Sequence, residues 1–514
     1  MEIDDEEKER RNRVSRQRFG MIETNFNYEP KFEKYLLTEA DCTDYFERQF
    51  FHVYRDRMAA LLPEIESAAR EDNIINDSSI RIEPLSNTDV DRPALIAGVI
   101  IKHMTNQPTV LKGFDEPGED EEGNEDKAVL PLVDEEDGSL ASDTDRLDLE
   151  DDQKQLVSLI GKIQHQTYTS GMVIGVWGRK RENSHFLVDR VIFPKLRPYL
   201  ERPILDNDLY IILASGLSVT CSNLDIINGM ASFSNALRHA PFHGNVARIV
   251  FAGDLSTTFC ECEKCRKVSI NNVMPLGTSL DPVKDPKILE VIEAIERNFT
   301  HYDIDLMPGA NDPASLMLPQ QPLPPAITER YVPEDKRQPE DNMAGAEEEE
   351  DDDADDDEEM KEVGDENVEV ISPATNRHVN TVTNPYCFNV QGFQIHGTSG
   401  QNVEGILKRT VRGRSVMEVM EQILRLGHLV PTAPDSIDCY PYSTTSKTSD
   451  PFIFEQLPHV FFAGNQRHFS TKTVDFGNDR KVCLVSIPRH TETRSFVAVN
   501  LRTLNAFELS MRKE

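Results

Sequence analysis

The stretch HVFFAGNQRHF, residues 459–469, sets an unbroken apolar run against an abrupt polar loop. Val460 to Ala463 read as a buried strand, and Gly464-Asn465 end it the way a strand ends when it hands a loop to an active site. Whether that loop is a working site or only the shell of one decides what the protein does.

The same grammar recurs upstream. From about residue 207, apolar runs at 208–217, 246–255, 302–312, 393–400, 458–465, 481–488 and 495–503 read as strands, and the earlier ones run straight into Gly-containing loops. Between them NLDIINGMASFSNALRHA, DPKILEVIEAIERN and SVMEVMEQILRL space their apolar residues as helices do. Strands alternating with helices define an α/β domain over 207–514 whose loops gather at strand ends. In the helix at 415–426, Met417 and Met420 could serve an interface, but packing onto the sheet is the expected use.

Ahead of this domain the pattern differs. Residues 1–38 are polar, carry the basic run RRNRVSRQR, and are expected to be disordered or loosely attached. Phe46, Phe50, Tyr54, Met58 and Leu61 mark an amphipathic helix over 39–70, capped by Thr38 or Asp44. Short strands at 94–104, 155–163, 171–180 and 185–194, with Gly kinks and an acidic loop at about 113–148, suggest an OB-type β-barrel within a domain spanning 39–206. A single-strand binder would show exposed aromatics interleaved with Lys and Arg, but Trp177 stands alone and reads as a packing residue. The expected fold is thus α/β and multidomain: an OB-type barrel, an α/β sandwich, and acidic inserts.

The chain has 514 residues, enough for two to four domains, but only 38% of them are hydrophobic. The deficit is local. The stretches 115–145 and 340–369 hold about 30 of the 35 net negative charges, so the acidity belongs to inserts expected to be disordered, at about 113–148 and 335–372. Such a chain is not a duplex-DNA binder by electrostatics, which needs clustered basic residues. A charged N-terminus and the lack of a long apolar run predict a soluble intracellular protein with no membrane contact. Of eight cysteines, Cys42, Cys221, Cys387, Cys439 and Cys483 are scattered, as reduced thiols are. Cys260, Cys262 and Cys265 lie close together, but a structural zinc needs a fourth ligand and none is near, so a loop with free thiols is expected.

Chemistry would sit in the loops ASGLS (214–218), AGDLS (252–256), PGAND (308–312) and AGNQR (463–467). Their order and character resemble the calcineurin-like metallophosphoesterases, whose loops carry Asp-x-His, Gly-Asp, Gly-Asn-His-Asp/Glu, a lone His, and Gly-His-x-His around two metal ions. The resemblance implies a pair of metals that activates water and neutralises phosphoryl oxygens. This chain keeps Gly253-Asp254, Gly309, Asp312 and Gly464, and His428 is a loose match for the lone His. Elsewhere Ala214-Ser215-Gly216 stands where Asp and His belong, Ala310 and Asn311 replace Asn and His, and Asn465 and Arg467 replace the last two His. Arg467 offers a fixed cation where a metal needs a lone pair, and His468 is one residue out of register. The expectation is therefore no catalytic residue, no metal and no cofactor on this chain, with the site residues surviving only as remnants. Phosphate-binding, dinucleotide-binding and Ser-nucleophile motifs are also missing from the sequence.

An OB-like barrel followed by a disabled phosphoesterase domain resembles the B-subunit family of replicative DNA polymerases. The phrases LASGLSV, MPGANDPASLMLPQQPLP, TNPYCFNVQGFQIHGTSGQNV, GHLVPTAPDSIDCYPY, DPFIFEQLPHVFFAGN and VNLRTL, spread over about 40–505, are similar to its delta branch. LPQQPLP and GTSGQNV favour delta over the alpha and epsilon branches. The resemblance implies a nuclear, non-catalytic scaffold in replication and repair synthesis. Its partners would be a catalytic subunit, held through a C-terminal metal-cluster domain, and a third accessory subunit, with DNA met only indirectly. The rival expectation is an active phosphodiesterase or nuclease using a single metal at Asp254 and Asp312.

Overall fold

The structure is a computed structural model that describes residues 26–38, 41, 49–72, 75, 77–107, 139–220, 223–257, 286–324, 327, 379–441 and 450–510. The acidic insert at 335–372, most of the acidic loop at 113–148, Cys42, Cys221 and the thiols at 260–265 lie outside the described residues. Cys387, Cys439 and Cys483 are free and buried.

Five strands close the barrel in the order β2-β3-β4-β6-β5: Pro93–His103, Arg146–Glu150, Leu156–Gly161, His185–Ile192 and Val173–Lys180. Four were legible as apolar runs. β3 falls inside and beyond the predicted acidic loop: RLDLE buries only Leu147 and Leu149, so two alternate apolar residues carry the whole signal. Helix α1, Phe51–Arg70, lies against β2 and β5 and buries Val53, Met58, Leu61 and Ile65. Trp177 packs in that same cluster, as a packing residue should. Ahead of the helix, Thr38 and Asp41 cap each other reciprocally, the Thr38 hydroxyl donating to Asp41 Oδ2 at 2.7 Å and accepting the Asp41 N–H at 3.3 Å.

The second domain packs two six-stranded sheets face to face. One runs β1-β11-β12-β13-β15-β14, from Tyr28–Pro30 through Tyr386–Val390, Phe393–Thr398, Val460–Gln466 and Lys481–Pro488 to Ser470–Asp475. The other runs β10-β9-β8-β7-β16-β17, from Val379–Thr381 through Ile304–Met307, Val246–Ala252, Tyr210–Ala214 and Ser495–Asn500 to Asn505–Ser510. Alternate residues of each inner strand serve different cores. Ile211 and Leu213 face the other sheet, while Ile212 and Ala214 face helices α2 (Asp225–His239) and α3 (Pro286–Asn298). A strand covered on both sides needs apolar residues at every position, which is why these segments read as continuous runs.

One expectation is corrected and one extended. Residues 26–38 are not loose: Tyr28–Pro30 adds the edge strand β1 to β11, and Tyr35 is buried. The helix α5, Val416–Leu426, capped by Ser415 and Glu418 and stopped at Gly427, lies on the sheet as expected. It packs on β14 and β15 and belongs, with α4 (Gln401–Lys408), to one core that also contains barrel residues such as Ile96, Val157 and Phe186. Burial on several sides accounts for its apolar girth.

Candidate functional site

The tips of β7, β8, β9 and β13 converge, as their loops predicted. Gly216 N–H donates to Gly253 O at 3.0 Å, and Asn465 N–H donates to Ser215 Oγ at 2.8 Å. Two glycines make the convergence possible. A Cβ on Gly309 would sit 2.2 Å from Asp254 Oδ1, and one on Gly464 would sit 2.5 Å from Ala252 O. Asp254 and Asn465 themselves adopt left-handed φ of 55° and 57°, which few side chains tolerate and which Asp and Asn tolerate best.

The two surviving carboxylates are engaged by the chain itself. Asp254 Oδ1 accepts the Asn311 backbone N–H at 3.0 Å and Oδ2 its side-chain Nδ2–H at 3.2 Å. Asp312 Oδ1 accepts Ser256 N–H at 3.0 Å and Oδ2 accepts Gly309 N–H at 2.8 Å. All four carboxylate oxygens are thus committed to loop closure. Burial, and after it the charge of Asp254, pushes the Asp312 carboxyl up to about 7 against the pull of its N–H donors. Burial likewise raises Asp254, opposed by the Asn311 hydrogen bonds and the nearby Arg489.

Where ligands should converge, the replacements cross-link the sheets. Ser215 Oγ bonds to Ile487 O and Pro488 O at 3.3 Å while receiving the Asn465 N–H. Asn465 Nδ2 donates to Ser399 O at 2.9 Å. Arg467 and His468 lie past the end of β13 and are exposed, so neither enters the buried part of the site. His428 is not joined to these loops: it is buried against Asp450, with Nε2 2.7 Å from Asp450 Oδ2, and burial drives its imidazole down to about 4. Its Nδ1 accepts Val430 N–H at 3.2 Å, so Nε2 carries the hydrogen and donates it.

Sequence reasoning missed an amide network beside these loops. Asn384 Nδ2 lies 2.7 Å from Gln320 Oε1, 2.7 Å from Ser399 Oγ and 2.9 Å from Gln401 Oε1, while its Oδ1 accepts Ser399 N–H at 3.0 Å. Gln320 in turn donates to Gly309 O at 2.9 Å and Ser315 O at 2.8 Å. These residues sit inside LPQQPLP, TNPYCF and GTSGQN, so the signal lay in the phrases that carried the resemblance and not in any catalytic motif.

A two-metal centre does not fit this arrangement. Its would-be ligands are Ser, Ala and Asn, its two carboxylates are bonded to N–H groups, and no group of three or more His, Cys, Asp or Glu among the described residues is placed to hold a metal ion. The site belongs to a phosphoesterase-like domain whose two remaining carboxylates are bonded to its own loops.

Comparison with known proteins agrees. Residues 211–471 match the family model described as the B subunit of DNA polymerase alpha/epsilon, and residues 49–191 match that of the DNA polymerase delta subunit OB-fold domain. The chain belongs to the B-subunit family of DNA polymerases. Within it the chain falls among the small subunits of DNA polymerase delta, with an accessory role in replication. It is 28% identical to the DNA polymerase delta small subunit of Oryza sativa subsp. japonica, over 82% of this chain and 83% of that one. It is 27% identical to the probable delta small subunit of Caenorhabditis elegans over 93% and 96%, and 23% identical to that of Saccharomyces cerevisiae over 89% and 88%.

Proposed function

We propose that the chain is the non-catalytic scaffold of the polymerase delta holoenzyme in the nucleus. It holds the catalytic subunit through that subunit's C-terminal metal-cluster domain and holds a third subunit elsewhere, during replication and repair synthesis. The observation that carries this reading is the engagement of Asp254 and Asp312: a fold whose only two site carboxylates are tied to its own loop N–H groups keeps its shape for its exterior. The remnant residues Ser215, Gly253, Asp254, Gly309, Asn311, Asp312, Gly464 and Asn465 close the loops and catalyse nothing, and His428 and Arg467 have no part in chemistry either.

The barrel supports an indirect relation to DNA. The outward side chains of β3 and β4 are Arg146, Asp148, Glu150, Leu156, Ser158 and Ile160, with two carboxylates and no aromatic ring on which a base could stack. No described helix is long and apolar enough to cross a membrane.

The test is affinity purification of the tagged chain at moderate salt. A large polymerase polypeptide and a smaller third one should be retained in constant ratio. Recovery of the chain alone, together with Mn²⁺-dependent hydrolysis of a nitrophenyl phosphodiester that Asp254→Ala abolishes, would replace the scaffold with an enzyme.

A further inference from the structure

We infer that the barrel and the sandwich are one cooperative unit, locked by two buried charged nodes at their junction. The first is Arg57, on the helix packed against the barrel and fully buried. Its guanidinium donates in four directions, three of them across the junction: Nε to Asp450 Oδ2 at 3.0 Å, Nη1 to Pro431 O at 3.0 Å and Nη2 to Ala433 O at 2.9 Å, while Nη1 also reaches Gly171 O of the barrel domain at 3.2 Å. Asp450 is fully engaged too, since His428 Nε2–H reaches the same Oδ2 and Oδ1 accepts Phe452 N–H at 3.0 Å. Near neutral pH the imidazole is uncharged, so among the described residues Arg57 is the cation paired with Asp450.

The second node is Lys102 of β2, whose side chain and that of Asp145 are both fully buried. Lys102 Nζ lies 3.3 Å from Asp145 Oδ2 and donates to Arg409 O of the sandwich domain at 2.7 Å. Between the nodes, Thr167 O of the barrel accepts from Arg414 Nη1 at 3.0 Å and Gln422 Nε2 at 3.3 Å. Gly171 leaves no slack, because a Cβ there would stand 2.2 Å from Pro431 O. The apolar core running from the barrel through α4 and α5 to β15 is continuous across the same boundary.

Buried ion pairs add little net stability but penalise every arrangement that leaves one partner alone. Separating the barrel while the sandwich stays folded would strand Asp450, the Arg409 carbonyl and the apolar flank of α5 together, so no half-folded state is favoured. Arg57 is therefore a positioning residue. The use of this lock, presenting both domains to a partner in one fixed geometry, rests on the scaffold reading, but its test does not.

That test is urea unfolding of the full chain followed by two probes. Trp177, the sole tryptophan, reports the barrel, and alkylation of the buried Cys483 thiol, read by mass spectrometry, reports the sandwich. The wild-type midpoints should coincide. In Arg57→Met the Trp177 transition should move to lower urea while Cys483 stays protected, separating the two. Lys102→Met should separate them as well, which keeps the test open if the first variant does not fold. Distinct wild-type midpoints, or variants that shift both probes together, overturn the lock.

Discussion

Asn384→Ala tests whether the strand-tip site survives for structure. Its amide makes contacts to Gln320 Oε1, Ser399 Oγ and Gln401 Oε1 and one from Ser399 N–H, all within 3.0 Å, in a position 1% exposed. Two N–H groups cannot serve three acceptors fully, so about three hydrogen bonds count, at ~1 kcal/mol each. Truncation also leaves the buried Ser399 N–H short of a partner, adding roughly 1–2 kcal/mol, while Gln320 Oε1 keeps the Gln401 Nε2–H at 3.0 Å. The expected loss is ~4–5 kcal/mol, a fall in Tm of about 8–10 °C at ~2 °C per kcal/mol for a unit this large. Urea denaturation with the Trp177 signal measures it, provided the slope m is unchanged. Because Asn384 and Gln320 share bonds, the double variant with Gln320→Ala should cost at least ~1 kcal/mol less than the sum of the singles. Polar residues kept for catalysis commonly cost a fold stability, so their removal is neutral or stabilising. A loss under about 1 kcal/mol for Asn384→Ala would refute the structural reading of the network.

Other outcomes follow from the same geometry. Gly309→Ala should destabilise by ~3 kcal/mol or more, since its Cβ would meet Asp254 Oδ1 at 2.2 Å and Asp254 N at 2.3 Å; thermal denaturation reads this directly. Mn²⁺ at millimolar concentration should move Tm by less than about 2 °C, whereas a metal present at 100 times its Kd would add ~2.7 kcal/mol. Stability should fall on acidification from about pH 6 to 4. Burial holds His396 at about 3 and His428 and His459 at about 4, so the folded state stays neutral where the unfolded chain, with imidazoles near ~6.5, takes up protons. Asp312 works in the opposite sense, because its carboxyl raised to about 7 favours the folded state increasingly as pH falls from 7 toward 4. Burial also lowers His490 and raises Asp254, so four imidazoles against two carboxyls leave a net slope of up to ~3 kcal/mol per pH unit, measurable as urea midpoints across that range. A flat profile from pH 6 to 4 would contradict this account of the buried imidazoles.

What the sequence determined by itself was the set of strands covered on both faces and the poverty of ligands at their tips. Val460–Ala463, Ile211–Ala214 and Ile249–Ala252 are apolar at every position, and such runs declare themselves locally because each residue must leave water. The replacement of His by Asn465 and Arg467 needed no structure to be seen. Edge strands, and β3 of the closed barrel, were illegible for the converse reason. β14 and β17 expose most of their side chains, β1 is three residues long, and β3 shows two apolar residues beside an acidic loop, so hydrophobic periodicity has almost nothing to report.

Only the tertiary structure decided what the polar residues do. His428 looked like a metal ligand from its place in the order of loops, yet its partners are Asp450 and, through it, Arg57, which lies 393 residues from Asp450 along the chain. Asn384 and Ser399 meet at the open end of the β11–β12 pair, but Gln320, which follows β9 of the other sheet, joins them only when the two sheets stack. A hydrogen bond is worth forming in a buried place and little in water, and which places are buried together depends on every contact of the fold.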